Sequence, residues 1–284
     1  DKEVLNIIKR GNIKMSTYMN LQKKFNERGI PVYSELILGL PGESYESWIQ
    51  GIEDLLQAGL KNQLFVYLCQ ILPNTELADQ EYRKQHGIVA QRIELNELHG
   101  SFRKLGETTE YEDIIVTTQT MPLSDWKQMV VFSLTTMVMH SMKLAFFLML
   151  YLADRFSIKY TDFILFISEG EIPLEIAPFL HSELKHFHDH TENILRGNGR
   201  GVAAPEYGEI VWDPEEAGFL RISENLDTFY NELRKVIIYY LNIKGIDFNE
   251  DEIEEAIRYQ KCRIPQVSAP SEREESFSYN FPEY

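Results

Sequence analysis

The sequence predicts an α/β fold over its first third, continuing into a mainly α-helical region. Three observations carry this. Residues 1–72 read in the order helix, helix, strand, turn, helix, strand, which is a βα repeat with a right-handed crossover. The two strands end in nearly continuous apolar runs, as parallel strands covered on both faces do. After Pro73 most readable segments carry helical spacing.

Residues 1–13 read as a helix with apolar Val4, Leu5, Ile7 and Ile8, and with Gly11 and Asn12 as stop signals. Ser16 is the expected N-cap of a second helix to Arg28, which carries Tyr18, Met19, Leu21 and Phe25 on one stripe and ends at Gly29. Residues 31–40 (PVYSELILGL) are the first expected strand, and Pro41-Gly42 the turn that closes it. Residues 44–58 are amphipathic and helical, with Trp48, Ile49, Ile52, Leu55 and Leu56 apolar, and residues 63–72 (QLFVYLCQIL) form the second strand. Beyond it a short helix is expected over 76–87, a mixed stretch over 89–118, and one long apolar helix over 123–156. Residues 160–168 suit either helix or strand, 174–196 a helix, 196–212 a loop ending in a short strand, 214–242 helix, and 249–262 an acidic-faced helix. Three units follow: 1–87, a mainly helical 88–267, and a loose tail over 268–284.

Composition narrows the function. A chain of 284 residues that is 44% hydrophobic and 25% charged is ordinary for a folded protein. A net charge of −16 disfavours nucleic-acid binding by bulk charge. Two isolated cysteines, Cys69 and Cys262, suit a reducing, cytoplasmic compartment and form no zinc spacing. The run from Met129 to Ala153 is long enough to span a bilayer, but His140 and Lys143 lie near its centre, so a buried helix is expected rather than a membrane span.

The strongest local pattern is residues 35–43 (ELILGLPGE), a strand running into a glycine turn and then a helix. Ligands in α/β folds bind beyond the carboxyl ends of strands, where such turns lie. Gly39 and Gly42 allow close backbone approach, and a tight turn that needs glycine only for geometry explains them equally well. On the helix holding HSELKHFHDHTE, His186 and His190 stand at i, i+4 with His181 and His188 nearby. This spacing suits a metal pair, and a polar helix face accounts for it more simply.

ELILGLPGES resembles the fifth strand of the radical S-adenosylmethionine (SAM) enzymes, FVYLCQILPNT their sixth, and DKEVLNIIKRGN the helix after their fourth, as in oxygen-independent coproporphyrinogen oxidases. WDPEEAGFL and EEAIRYQKCRIP resemble, more weakly, the subgroup that carries a cobalamin-binding domain. The resemblance implies the C-terminal part of a (β/α) partial barrel, completed by an N-terminal remainder, followed by helices on the substrate side. It implies that Arg10 pairs with the SAM carboxylate, that Glu35 accepts from the ribose, and that Ile37 contacts the adenine. Gly39, Leu40 and Pro41 would floor the pocket, and Leu68 and Cys69 would offer backbone groups to the adenine edge.

The implied cofactors are SAM, a [4Fe–4S] cluster and cobalamin, used to generate a 5′-deoxyadenosyl radical or to transfer methyl to a small molecule or peptide. The family's CxxxCxxC loop is absent from this sequence, so this chain by itself is expected neither to hold the cluster nor to catalyse the reaction. Two other readings stay open: a degenerate barrel acting as a non-catalytic binding module, and a metal-dependent hydrolase built on the histidine helix.

Overall fold

A computed structural model describes residues 2–103, 106–264 and 274–281. The chain is a mixture of helix and strand, just over half of it helical. Its first third is built from α1 (Lys2–Ile7), α2 (Met15–Glu27), β1 (Ser34–Leu38), α3 (Tyr45–Gln57) and β2 (Leu64–Leu68). The two strands pair in parallel, Ser34 opposite Leu64 and Leu38 opposite Leu68, as the βα pattern predicts. Ser44 caps α3 by accepting from the Ser47 amide at 3.2 Å, while the Ser47 hydroxyl accepts from the Ser44 amide at 3.0 Å. The buried stripe Trp48, Ile52, Leu55 and Leu56 then faces inward.

The next segment adds a 3₁₀ turn (Glu76–Ala78), α4 (Gln80–Gln85), β3 (Val89–Glu94) and β4 (Tyr111–Thr117). Residues 89–118, ambiguous in sequence, form an antiparallel pair of strands. That pair is stitched to the exit of β2, where Ile71 donates to Asp113 at 2.8 Å and Ile115 donates to Cys69 at 2.9 Å.

The helical region holds α5 (Leu123–Thr136), α6 (Phe146–Phe156), α7 (Tyr160–Ser168) and α8 (Pro178–Leu195), then the short strands β5 (Val202–Ala203) and β6 (Val211–Trp212), and finally α9 (Pro214–Glu224), α10 (Leu226–Ile243) and α11 (Glu250–Cys262). From Met129 to Thr136 every residue of α5 is buried, so this helix must be enclosed on all sides. Helices α3, α7, α8 and α9 pack around it, and Trp48 of α3 donates to the buried Ser133 hydroxyl at 3.1 Å.

The expected single helix over 123–156 is corrected: a π turn over Met137–Ser141 ends α5, and α6 departs at 93°. Ser133, Thr135 and Thr136 each turn a hydroxyl back onto the carbonyl four residues earlier, at 2.7–2.8 Å, which loosens the helix. His140 is tied to the Leu60 carbonyl at 2.9 Å, and Lys143, in left-handed backbone (φ 68°), bonds the Lys61 carbonyl. Among the described residues no single helix is long and apolar enough to cross a membrane; only the bent α5–α6 pair reaches that length and composition.

Other expectations shift as well. The first helix stops at Ile7 rather than near residue 13, with Lys9 in left-handed backbone (φ 54°). The expected helix 214–242 breaks at Asn225 into α9 and α10. Residues 160–168 are helical. Of the expected loose tail, 268–273 and 282–284 lie outside the described residues, whereas 274–281 is packed: Phe281 is buried, with its ring 5.5 Å from Tyr259 and 5.8 Å from Tyr151.

Two buried carboxylates act as helix caps supplied from other helices. Glu53 of α3 accepts from the amide and the hydroxyl of Thr161, both at 2.9 Å, at the start of α7. Glu232 of α10 accepts from the amides of Phe179 and Leu180, at 3.0 and 2.9 Å, at the start of α8. Each satisfies N–H groups that a helix start leaves open, and places negative charge at the positive end of the helix.

Two predictions follow from these contacts. Glu232→Ala is expected to destabilise the protein by about 2 kcal/mol in urea unfolding, because two buried amides lose their acceptor, and Glu232→Gln by less. The second concerns pH. Burial, aided by the Lys143 charge, holds the His140 imidazole down at about 3. Between that value and the ordinary value of about 6.5, the unfolded chain binds the extra proton, so this contribution to stability is full above about pH 6.5 and is lost as pH falls toward 3. His140→Gln is therefore expected to show a smaller loss of stability than the parent between about pH 7.5 and about pH 5; an unchanged difference would exclude this assignment.

Candidate functional site

Strand pairing puts Ser34, Leu36 and Leu38 on one face of β1 and Glu35 and Ile37 on the other. The first face is covered. The second is open: Glu35 is exposed, as are Tyr33, Ile37 and Tyr67. Rings of Tyr33, Phe65 and Tyr67 line it in succession, 5.9 and 6.3 Å apart. A half-apolar strand face with one carboxylate among aromatic rings is a surface suited to a ligand with both a flat apolar part and hydroxyl groups.

The turn after β1 lies at the carboxyl end of this face. Gly39 is buried with φ 105°, and a Cβ there would stand 3.3 Å from the Ile115 carbonyl and 3.4 Å from the Cys69 Cβ. This glycine is therefore needed for the fit of β4 against the turn. Leu40 is half-buried and Pro41 buried. Gly42 lies under α1, where a Cβ would come within 2.6 Å of Ile7 Cδ1. The end of α1 is thereby held over the turn, and Lys9 pairs with Glu76 beyond β2. Arg10, next to Lys9, is exposed. The backbone thus gathers the end of α1, the 39–43 turn and the exit of β2 at one end of the parallel pair, with Arg10 three residues past α1.

Leu68 borders the cavity described next. Cys69 is placed differently from the expectation. Its amide donates to Leu38 at 2.8 Å and its carbonyl accepts from Ile115 at 2.9 Å, so both backbone groups already serve the sheet. Its thiol is buried, and burial pushes it up to about 11, which keeps it a protonated packing group.

A cavity of about 470 Å³ opens between β2, α5 and the start of α9. Its inner wall is apolar, from Leu38, Val66, Leu68, Val130, Leu134 and Met137, and its other side carries His99, His190, Arg200, Asp213, Glu215 and Glu216. Arg200 is engaged by Glu112 at 2.7 Å. His99 Nε2 and Glu216 Oε2 are 2.5 Å apart, and this contact raises the His99 imidazole above its ordinary value. Burial first, and the Asp213 charge second, hold the Glu215 carboxyl up at about 8, while burial alone holds His190 down at about 4. At neutral pH the cavity therefore presents a neutral imidazole at His190 and, at Glu215, an acid that keeps its proton.

Of these six polar residues, His190 was marked in the sequence by its spacing from His186, and Asp213, Glu215 and Glu216 only by the weak resemblance of WDPEEAGFL; His99 and Arg200 gave no signal, because His99 lies more than 100 residues from the stretch it meets.

The four histidines of α8 do not act as one group. His181 is bonded to the Ile172 carbonyl at 2.7 Å, His186 and His188 are exposed, and His190 is buried. His186 and His190 border a second cavity, of about 510 Å³. Among the described residues, the one trio of ligating atoms within mutual reach is His99, Asp213 and Glu216, away from that helix. The hydrolase reading thus lacks a third ligand on α8.

No family model matches the chain. Two curated proteins are similar to it along its whole length. One is the cobalamin-dependent radical SAM methyltransferase TokK of Streptomyces tokunonensis, 29% identical over 302 aligned residues, a match that covers 100% of this chain and 43% of that protein. The other is 2-(S-pantetheinyl)-carbapenam-3-carboxylate methyltransferase of Streptantibioticus cattleyicolor, 28% identical over 301 residues with the same coverage. The chain therefore spans less than half the length of these relatives and corresponds to their C-terminal part. The resemblance first carried by ELILGLPGES thus extends over all 284 residues, and the chain is similar throughout to the C-terminal part of proteins named as cobalamin-dependent radical SAM and carbapenam methyltransferases.

Proposed function

We propose that this chain supplies the SAM-facing strands and the substrate-side helices of a cobalamin-dependent radical SAM methyltransferase. One observation carries the reading: Glu35 and Ile37 stand on the uncovered face of two parallel strands whose carboxyl ends also hold the glycine turn, with Arg10 just past the helix packed over that turn. That is where α/β proteins bind ligands. The names of the two relatives support the same assignment.

The residues fit SAM in kind. The Glu35 carboxylate is an acceptor for a pair of ribose hydroxyls. Ile37, with Phe65 and Tyr67 beside it, offers apolar surface to a purine. Arg10 offers a planar two-pronged donor to a carboxylate. Gly39, Leu40 and Pro41 shape the turn beneath, and Leu68 joins this face to the cavity. Cys69 contributes packing through its side chain rather than a free amide. When bound, SAM supplies the methyl group or the radical, and the work of this chain is to hold it and to exclude water from the neighbouring cavity.

The residues do not fit the iron–sulfur cluster. Such clusters need several cysteine thiolates in close array, and the chain has two cysteines, one of them buried with its proton held on. The cluster's ligands are therefore assigned to another part of the protein, and no residue here is assigned to cobalamin. The cavity between β2, α5 and α9 is the proposed substrate side, with its apolar wall toward β2 and its acidic groups toward α9.

The test uses the full-length protein, loaded with its cluster under anaerobic conditions. Glu35→Ala is expected to weaken SAM binding by about tenfold, which corresponds to about 1.4 kcal/mol, and Arg10→Ala to weaken it by a similar factor. Iron and acid-labile sulfide stay at parent levels in both. Unchanged SAM affinity in both variants would remove the open strand face from the site, and a full-length protein with no labile sulfide would remove the radical SAM reading itself.

A further inference from the structure

The opening of the cavity brings together three potential metal ligands from segments more than 100 residues apart. His99 sits in left-handed backbone (φ 61°). Its amide donates to the Val211 carbonyl at 2.7 Å, and the Val211 amide donates to Gly100 at 2.9 Å. This lacing holds the His99 turn against β6, which leads through Trp212 directly to Asp213. Asp213 precedes the first residue of α9, and Glu216 lies three residues on, one helical turn along the same face. One ligating atom from each of His99, Asp213 and Glu216 lies within 4.8 Å of the others, so rotamer adjustments of a few tenths of an ångström bring all three within the roughly 4.4 Å that bonds of about 2.0–2.2 Å to one ion allow.

Within the trio the Glu216 carboxylate already meets His99. Arg200, which lines the same cavity, is itself engaged by Glu112 at 2.7 Å. Glu215 adds a third carboxyl to the same wall, and among the described residues no Lys or Arg pairs with Asp213, Glu215 or Glu216. A second, independent feature points into the cavity. His190 is 5% exposed and borders it, and among the described residues its ring has no hydrogen-bond or ion-pair partner. A buried imidazole with no protein partner, bordering the cavity, is available to hydrogen-bond a group held there.

The geometry points to a divalent-cation site formed by His99, Asp213 and Glu216 at the opening of this cavity, with His190 facing the space where the ion's remaining ligand sits. An imidazole with two carboxylates suits manganese, iron or zinc, and is unlike the all-oxygen sets that calcium and magnesium select. Three protein ligands leave at least one coordination position for water or for an oxygen of the molecule in the cavity, as in catalytic rather than structural metal sites. The site is independent of the SAM assignment, since it shares no residue with the strand face.

Mn²⁺ is the probe of choice, because thiolates and iron–sulfur clusters compete for it weakly. Full-length, cluster-loaded protein is titrated with MnCl₂ under anaerobic conditions, and free Mn²⁺ is read from its six-line EPR signal. The parent is expected to take up about one Mn²⁺ per chain. His99→Ala and Glu216→Gln are each expected to weaken that binding by more than about tenfold, since even groups outside the first coordination sphere cost about 10–100-fold. His186→Gln is expected to leave it unchanged. The His99–Glu216 pair is at the surface, so both variants should keep the parent's far-UV spectrum and metal-free melting temperature. Absence of stoichiometric uptake would overturn the proposal. So would uptake that survives both substitutions, or uptake that depends on His186 instead.

Discussion

The burial of α5 is the constraint on which the rest of the architecture rests. A helix whose residues from Met129 to Thr136 are all buried cannot lie on a surface, so α3, α7, α8 and α9 must close around it. Enclosure of this kind leaves the starts of neighbouring helices away from water. Glu53 and Glu232 meet that need by reaching from α3 and α10 to the open amides of α7 and α8. Charged side chains are thus buried where they have a specific partner, and their loss would leave amides unpaired rather than merely remove a contact.

The same enclosure decides where chemistry is possible. Helix α5 and the buried face of β1 and β2 consume the apolar surface on one side of the parallel pair, leaving the opposite face, with Glu35, Ile37, Phe65 and Tyr67, uncovered. The cavity forms at the edge of this packing, where β2, α5 and the start of α9 leave a gap between them. Its polar groups are held by backbone lacing between residues 99–100 and Val211, a device that leaves the side chains of His99, Asp213 and Glu216 free to face one another. Two surfaces with different demands, one an open strand face and one an acidic-walled cavity, come to share Phe65, Tyr67 and Leu68 of β2.

Much of the local structure was legible in the chain. β1, α3 and β2 are marked by apolar runs, a capping serine and glycine stops, and each forms within a few residues of its expected range. Tyr160–Ser168 and residues 89–118 were not legible, because short apolar runs suit helix and strand alike, and tertiary partners settle the choice. The bend after Thr136 was hidden for a different reason. The hydroxyls that loosen the helix are ordinary helix residues unless Leu60 and Lys61 are present to draw the chain aside. The resemblance placed Glu35 and Ile37 on a strand, where the fold leaves them exposed on one face. The same reasoning gave Cys69 a free backbone that the pairing with Leu38 and Ile115 removes.

By itself, the sequence determined the βα unit, the cap and turn residues, the resemblance to radical SAM enzymes, and the absence of a CxxxCxxC motif from these 284 residues, since these depend on neighbours within one or two helical turns or on motifs read in order. Tertiary structure alone decided which strand face stays open, which histidine of α8 is buried, and that His99 meets Asp213 and Glu216. Those outcomes depend on contacts between residues from about 30 to more than 100 positions apart, and hydrophobic periodicity, a property of adjacent residues, carries no information about such distances.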